Sequence, residues 1–273
     1  MLSRVEANGI QVAYRVQGEG NPIVFIHGHG FESSSWQPQL DYFGHSYRAI
    51  AYDVRGHGLT EIANEGYRME ELAMDLAALV DLLEIERVVL CGLSMGGMIA
   101  MQFAVDFPSR VAGMVLADTA LPGPKTPADQ VLTRLRTIYD QGLDKLADGV
   151  GERYFGRQFR ETKPDFHRWW RERYLQNDLT GITGCTLAMW DRPDITDRLG
   201  VFGFPSLVIV GEDDEVTSPE ASRRIAETIQ GAALVVLPNA AHITNEERPH
   251  EFNRVVQEFL DRIGWEGVRH AGR

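Results

Sequence analysis

At 273 residues, with a net charge of −12 and an isoelectric point near 5.1, the chain has the size of one large α/β domain or two small ones. Its 44% hydrophobic and 24% charged residues exclude a disordered or fibrous chain and supply a sizeable core. The acidity argues against a nucleic-acid or anionic-membrane partner, and no apolar run reaches the roughly 18 residues of a membrane span.

The N-terminus, MLSRVEANGIQVAYRV, has no apolar signal-peptide core and alternates like a strand. The alternation over 4–16 around Asn8-Gly9 predicts a hairpin. Short apolar runs follow, each ending in a loop: PIVFIHG (22–28), YRAIAYD (47–53), RVVLCG (87–92), GMVLAD (113–118), PSLVIVG (205–211) and ALVVLP (233–238). Continuous rather than alternating runs predict strands buried on both faces. Helices are expected between them, over 69–84 and 97–107, where Pro108 ends the pattern, and over 249–263, opened by Pro249. This alternation predicts a mostly parallel central sheet with helices on both faces. Cys91 and Cys185, the two cysteines, read as buried small hydrophobes of a reduced, cytoplasmic protein.

The alternation stops between about 121 and 200, where the chain is helical and rich in Arg and aromatic residues. Thr126-Pro127 with Asp129 predicts a helix start, and Leu132, Leu135, Ile138, Leu143, Leu146 and Val150 continue one apolar face. The expected organisation is a core of 1–120 and 201–273 with a helical cap, 121–200, inserted in it.

One serine stands out. VVLCGLSMGGMIA (88–100) sets Ser94 in a Gly-x-Ser-x-Gly turn between a buried strand and a helix. Such a turn exposes the hydroxyl at the carboxyl edge of the sheet, provided that Gly92 and Gly96 keep side chains away from it. A serine hydroxyl needs a base, and the base needs an orienting acid. Of the eight histidines, His242 follows the run ALVVLP and so falls at the same edge; His45, His167, His250 and His270 lack that context. The loop GEDDEVTSP offers Glu212, Asp213, Asp214 and Glu215 after another strand, with Ser218-Pro219 opening a helix. Asp214 is the preferred acid, Asp213 the second choice, and Asp118 after GMVLAD a more distant alternative. The order Ser94, Asp214, His242 is that of the Ser-acid-His enzymes with a strand-turn-helix nucleophile. Backbone N–H groups of Met95 and His29 would form the oxyanion hole, while His27 would brace its loop by hydrogen bonding. No metal-ligand spacing, dinucleotide-binding G-x-G-x-x-G or phosphate-binding glycine loop is present, and no cofactor is expected.

Over essentially its whole length the chain resembles the α/β-hydrolase fold enzymes. HGHGF resembles their oxyanion loop, DVRGHGLT (53–60) their D-x-R-G-x-G-x-S segment with Thr60 in the serine place, and AAHITNEERP their histidine loop. GEDDEVTSP resembles the acid loop, in which the third residue after Gly is the acid, which supports Asp214. CGLSMGGM, FGRQFRETKPDF and MWDRPDITDRL resemble the 3-oxoadipate enol-lactonase and carboxylesterase-like branch. HGHG departs from the lactonase pattern, so the resemblance implies the hydrolytic machinery rather than the lactone. Dehalogenases and epoxide hydrolases carry Asp where Ser94 stands, and Met98 departs from the C–C bond hydrolases. The expected function is a serine hydrolase cleaving small to medium hydrophobic carboxylic esters, with an enol-lactone the alternative substrate. A non-catalytic ligand-binding protein on the same fold is the reading of another class. Trp190, Phe31 and Trp36 are the candidate substrate-binding side chains; Trp169 and Trp170 are weaker because neighbours on a helix cannot both face inward.

Overall fold

The computed structural model describes residues 2–123 and 127–268, so the Thr126 helix cap and His270 lie outside the described residues. The hairpin joins β1 (Leu2–Ala7) and β2 (Ile10–Gln17) with Ala7 opposite Ile10. Asn8 and Gly9 between them take φ of 49° and 77°, the left-handed pair that a two-residue hairpin needs. The apolar runs become β3 (Pro22–Ile26), β4 (Arg48–Tyr52), β5 (Val88–Leu93), β6 (Val111–Ala117), β7 (Ser206–Gly211) and β8 (Ala233–Leu237).

The eight strands form one sheet in the order β1-β2-β4-β3-β5-β6-β7-β8. β1 and β2 pair antiparallel, β2 pairs antiparallel with β4, and all other pairs are parallel. Alternate residues of one strand enter opposite cores: Val24 and Ile26 pack in one layer, Ile23 and Phe25 in the other. Both faces of β3 to β7 are covered, which is why those runs are continuously apolar, whereas β8 at the sheet edge departs from the expectation: it is mostly half-buried, with Val236 39% exposed.

One face carries α2 (Met69–Leu82), α3 (Met95–Asp106) and α9 (Pro219–Thr228); the other carries α1 (Gln37–Phe43) and α11 (Pro249–Arg262). Between β6 and β7 come α4 (Ala128–Tyr154), α5 (Arg157–Thr162), α6 (Pro164–Tyr174), α7 (Leu179–Trp190) and α8 (Thr196–Phe202), and α10 (Thr244–Glu247) precedes α11. The apolar face expected along α4 is not continuous. Gly142 at φ 70°, ψ 173° breaks the helix; Leu143, Leu146 and Val150 beyond the break pack on the core, whereas Leu132 before it is 65% exposed. Among the described residues no helix is long and apolar enough to cross a membrane.

The DVRGHGLT segment is spent on holding the loop after β4. Asp53 accepts the Ser33 and Leu59 N–H groups, and the Thr60 hydroxyl donates to the Asp53 carbonyl at 2.6 Å. Arg55 donates to both oxygens of Asp75 at 2.8 and 2.6 Å, a two-pronged ion pair with both side chains buried. Both cysteines are buried free thiols, pushed up by desolvation.

Candidate active site

Ser94 sits between the last residue of β5 and the first of α3 with φ 53° and ψ −114°, a conformation that a residue with a side chain adopts only under constraint. The neighbours supply the constraint. The Ser94 N–H donates to Ala117 O of β6 at 2.8 Å, and its carbonyl accepts the Thr119 hydroxyl at 2.7 Å. A Cβ on Gly92 would stand 2.3 Å from Gly96 O, and one on Gly96 would stand 2.0 Å from Ile26 O. Any other residue at either position would push the turn apart.

β5 lies between β3 and β6, so the loops that leave the carboxyl ends of β3, β6, β7 and β8 converge on this serine. From the β8 loop, His242 brings Nε2 to 2.9 Å from Ser94 Oγ; from the β7 loop, Asp214 brings Oδ2 to 2.9 Å from His242 Nδ1. A carboxylate only accepts, which assigns the imidazole proton to Nδ1 and leaves the Nε2 lone pair facing the serine hydroxyl. His242 and Asp214 are 1% and 3% exposed, so the pair works out of water. Burial pushes the Asp214 carboxyl up. The His242 ring, the Thr217 N–H and the Thr217 hydroxyl outweigh that and hold it below the usual carboxylate range.

The three candidate acids occupy different surroundings. Asp213 is exposed, as are Glu212 and Glu215. Asp118 is fully buried at φ 46° and does not bond to the histidine: Oδ1 accepts the Gly211 N–H at 3.0 Å, and Oδ2 accepts the Thr244 N–H and hydroxyl at 2.9 and 2.6 Å. It ties the end of β6 to the loops that carry Asp214 and His242. Burial first, and the nearby charge of Asp214 second, raise it to about 7.

The loop after β3 passes beside the serine: a Cβ on Gly28 would lie 3.4 Å from Ser94 Cβ. His27 Nε2 accepts the Val54 N–H at 2.8 Å, so its Nδ1–H donates to Gly28 O, also at 2.8 Å. The His29 ring is turned onto α7, donating from Nε2 to Ile182 O at 2.9 Å. Burial holds both rings below the ordinary imidazole value. Met95 opens α3, and the first N–H groups of a helix have no partner within it.

The aromatic side chains divide. Phe31 stacks on Tyr154 with 6.0 Å between ring centroids, and the Tyr154 ring is 4.8 Å from His242. Trp190 is half-buried at the last residue of α7. Trp36 corrects the expectation: it is wholly buried between Phe25 of β3, 5.1 Å away, and Phe252 of α11, 5.9 Å away, in the layer beneath the sheet. The short 3-10 turn Ser33–Trp36 aims its one large apolar residue inward, because that is where its surface is removed from water. Trp170 is likewise buried and Trp169 half-buried under the Arg173 guanidinium, as adjacency on one helix requires.

Two neighbours of the site were not singled out in the sequence. Tyr154 packs on His242 and accepts its backbone N–H at 3.0 Å, a contact from 88 residues upstream that has no local signal. Thr217 bonds to Asp214 and was readable, since an Asp three residues before a Thr commonly accepts its N–H. Among the described residues no group of three His, Cys, Asp or Glu side chains could hold a metal ion.

Residues 21–249 match the family defined by the alpha/beta hydrolase fold. The chain is 32% identical over 259 residues to 3-oxoadipate enol-lactonase 2 of Acinetobacter baylyi, covering 94% of this chain and 96% of the relative. In structure it is similar to a thermophilic esterase from Thermogutta terrifontis, with a TM-score of 0.90, 29% identity and coverage of 96% and 99%. An enol-lactonase from Burkholderia xenovorans follows at a TM-score of 0.88 and 31% identity, covering 95% of this chain and all of the other.

Proposed function

Since the chain belongs to the α/β-hydrolase family, with esterases and enol-lactonases among its relatives, we propose that it is a serine hydrolase that cleaves carboxylic esters through an acyl-enzyme on Ser94. One observation carries the reading: an unbroken relay from Ser94 Oγ to His242 Nε2 and from Nδ1 to Asp214 Oδ2, 2.9 Å at each step, at the carboxyl edge of the sheet. Ser94 Oγ attacks the ester carbonyl while Nε2 takes its proton. Asp214 keeps the other proton on Nδ1 and stabilises the imidazolium. The imidazolium then protonates the leaving alcohol. A water that gives its proton to Nε2 attacks the acyl-serine, and the acid departs with Ser94 restored.

Two donors are proposed for the oxyanion, the backbone N–H groups of Met95 and His29; losing one such donor typically costs on the order of 10²–10³ in rate. The helices over 121–200 are read as a cap whose aromatic side chains meet the substrate. Phe31, itself 4% exposed but stacked on the Tyr154 ring beside His242, and Trp190 are the candidates there; Trp36 is not, because Phe25 and Phe252 enclose its ring away from His242. The substrate is a small molecule with an apolar acyl or alcohol part, and the reaction needs no cofactor.

Lactone hydrolysis of the 3-oxoadipate enol-lactone type is the second reading, favoured by the 32% identity to such an enzyme over nearly the whole chain. Turnover of a short-acyl p-nitrophenyl ester, set against the enol-lactone, decides between the two. The enzyme itself is tested against a ligand-binding protein by a fluorophosphonate probe. Wild-type protein should label and Ser94→Ala should not; a wild-type protein that stays unlabelled would end the serine-hydrolase reading.

A further inference from the structure

Asp214 receives four hydrogen bonds on two oxygens. Oδ1 accepts the backbone N–H groups of Val216 and Thr217 at 2.7 and 2.9 Å. Oδ2 accepts the Thr217 hydroxyl at 2.8 Å and His242 Nδ1–H at 2.9 Å. Thr217 Oγ1 also lies 3.2 Å from His242 Nδ1, so acid, base and hydroxyl close a triangle with a hydrogen-bonding distance on every side. Thr217 is 7% exposed and has little competition from water. Its hydroxyl has a single hydrogen. Nδ1 holds its own proton as long as Nε2 accepts from Ser94, so the hydroxyl donates to Oδ2 and turns its lone pairs toward Nδ1–H.

We propose that Thr217 is a positioning residue of this site, whose hydroxyl shares Asp214 Oδ2 with the imidazole and thereby sets both the orientation and the basicity of His242. Its catalytic consequence rests on the hydrolase reading above, whereas the hydrogen-bond triangle does not. A donor on Oδ2 disperses carboxylate charge that would otherwise act on the ring, so the imidazolium is less stabilised and the base less basic. The hydroxyl oxygen, as a second acceptor for Nδ1–H, resists rotation of the ring out of line with Ser94. Among the described residues, the other ionisable groups facing the pair are Asp118 from the end of β6 and Tyr154 from α4; Asp118 is held by Gly211 and Thr244 rather than by Thr217.

Thr217→Val keeps the shape and deletes the hydroxyl; Thr217→Ser returns it. The full-length variants are compared by the pH profile of kcat/KM on p-nitrophenyl acetate and by the downfield proton resonance of His242 Nδ1–H, identified by its loss in His242→Gln. Thr217→Val should lower kcat about tenfold, the scale of one hydrogen bond to a charged group, with KM changed less than about twofold. Its acid limb should move to higher pH and its Nδ1–H resonance further downfield, and Thr217→Ser should reverse all three. Thr217→Ala, which also lacks the hydroxyl, gives the same shifts if the valine variant fails to fold. An acid limb and a resonance that both remain at their wild-type positions, whatever the loss in Tm, would overturn the proposal. Failure of the hydrolase reading looks different: no ester turnover and no probe labelling, with the resonance of the triangle still there to be measured.

Discussion

Asp214→Asn exchanges one oxygen for an NH₂ group, and the site leaves that group one place to go. Oδ1 accepts two backbone N–H groups, from Val216 and Thr217, so the amide oxygen must take that position. The opposite orientation would set the NH₂ against both donors inside the protein, at about 1–3 kcal/mol for each group left unsatisfied. With the oxygen so placed, the NH₂ faces His242 Nδ1 and can only donate to it. Nδ1 then becomes the acceptor and the ring proton moves to Nε2. That proton points at Ser94 Oγ, 2.9 Å away, and a ring nitrogen that carries it cannot take another. A base caught in the wrong tautomer lowers kcat by about 10⁴, or about 5 kcal/mol of barrier. The assay is hydrolysis of p-nitrophenyl acetate by Asp214→Asn and Asp118→Asn side by side, with thermal melts to show that both fold. Asp118→Asn should lose far less, because Asp118 bonds to Gly211 and Thr244 and not to the ring. Asp214→Asn within about tenfold of wild type, alongside an inactive Asp118→Asn, would transfer the role to Asp118 and refute the tautomer reasoning.

Asp75→Ala should cost about 3–5 kcal/mol of stability in urea unfolding, because it leaves the buried Arg55 guanidinium without its carboxylate; a loss below about 1 kcal/mol would mean that water reaches the arginine. Burial raises the Glu246 carboxyl to about 8, so its protonated form is the one the fold favours. The stability it adds is complete below the ordinary carboxyl range and is lost as pH rises toward that value. Glu246→Gln should therefore match wild type in Tm at about pH 5 and exceed it by a few degrees at about pH 8; a difference that does not change with pH would count against this.

The strands and the serine turn were legible because their causes are local. A strand covered on both faces must be apolar throughout, and a serine at φ 53° needs small neighbours at Gly92 and Gly96. Proline and glycine likewise punctuate the chain where the helices begin and the hairpin turns. The choice among Asp118, Asp213 and Asp214 was not local. All three follow strands that end at the same sheet edge, and which carboxylate meets a histidine on another loop depends on how both loops pack. Trp36 and Phe31, five residues apart, could not be told apart by composition, yet one faces the layer under the sheet and the other stacks on Tyr154. The break at Gly142 was equally hidden, since apolar residues continue on both sides of it. Burial and turn chemistry act over a few residues, so the residue types at the strand ends, and their order, are written in the chain. Which of them touch is not, because a contact of 2.9 Å between residues 148 apart is set by the packing of the whole sheet.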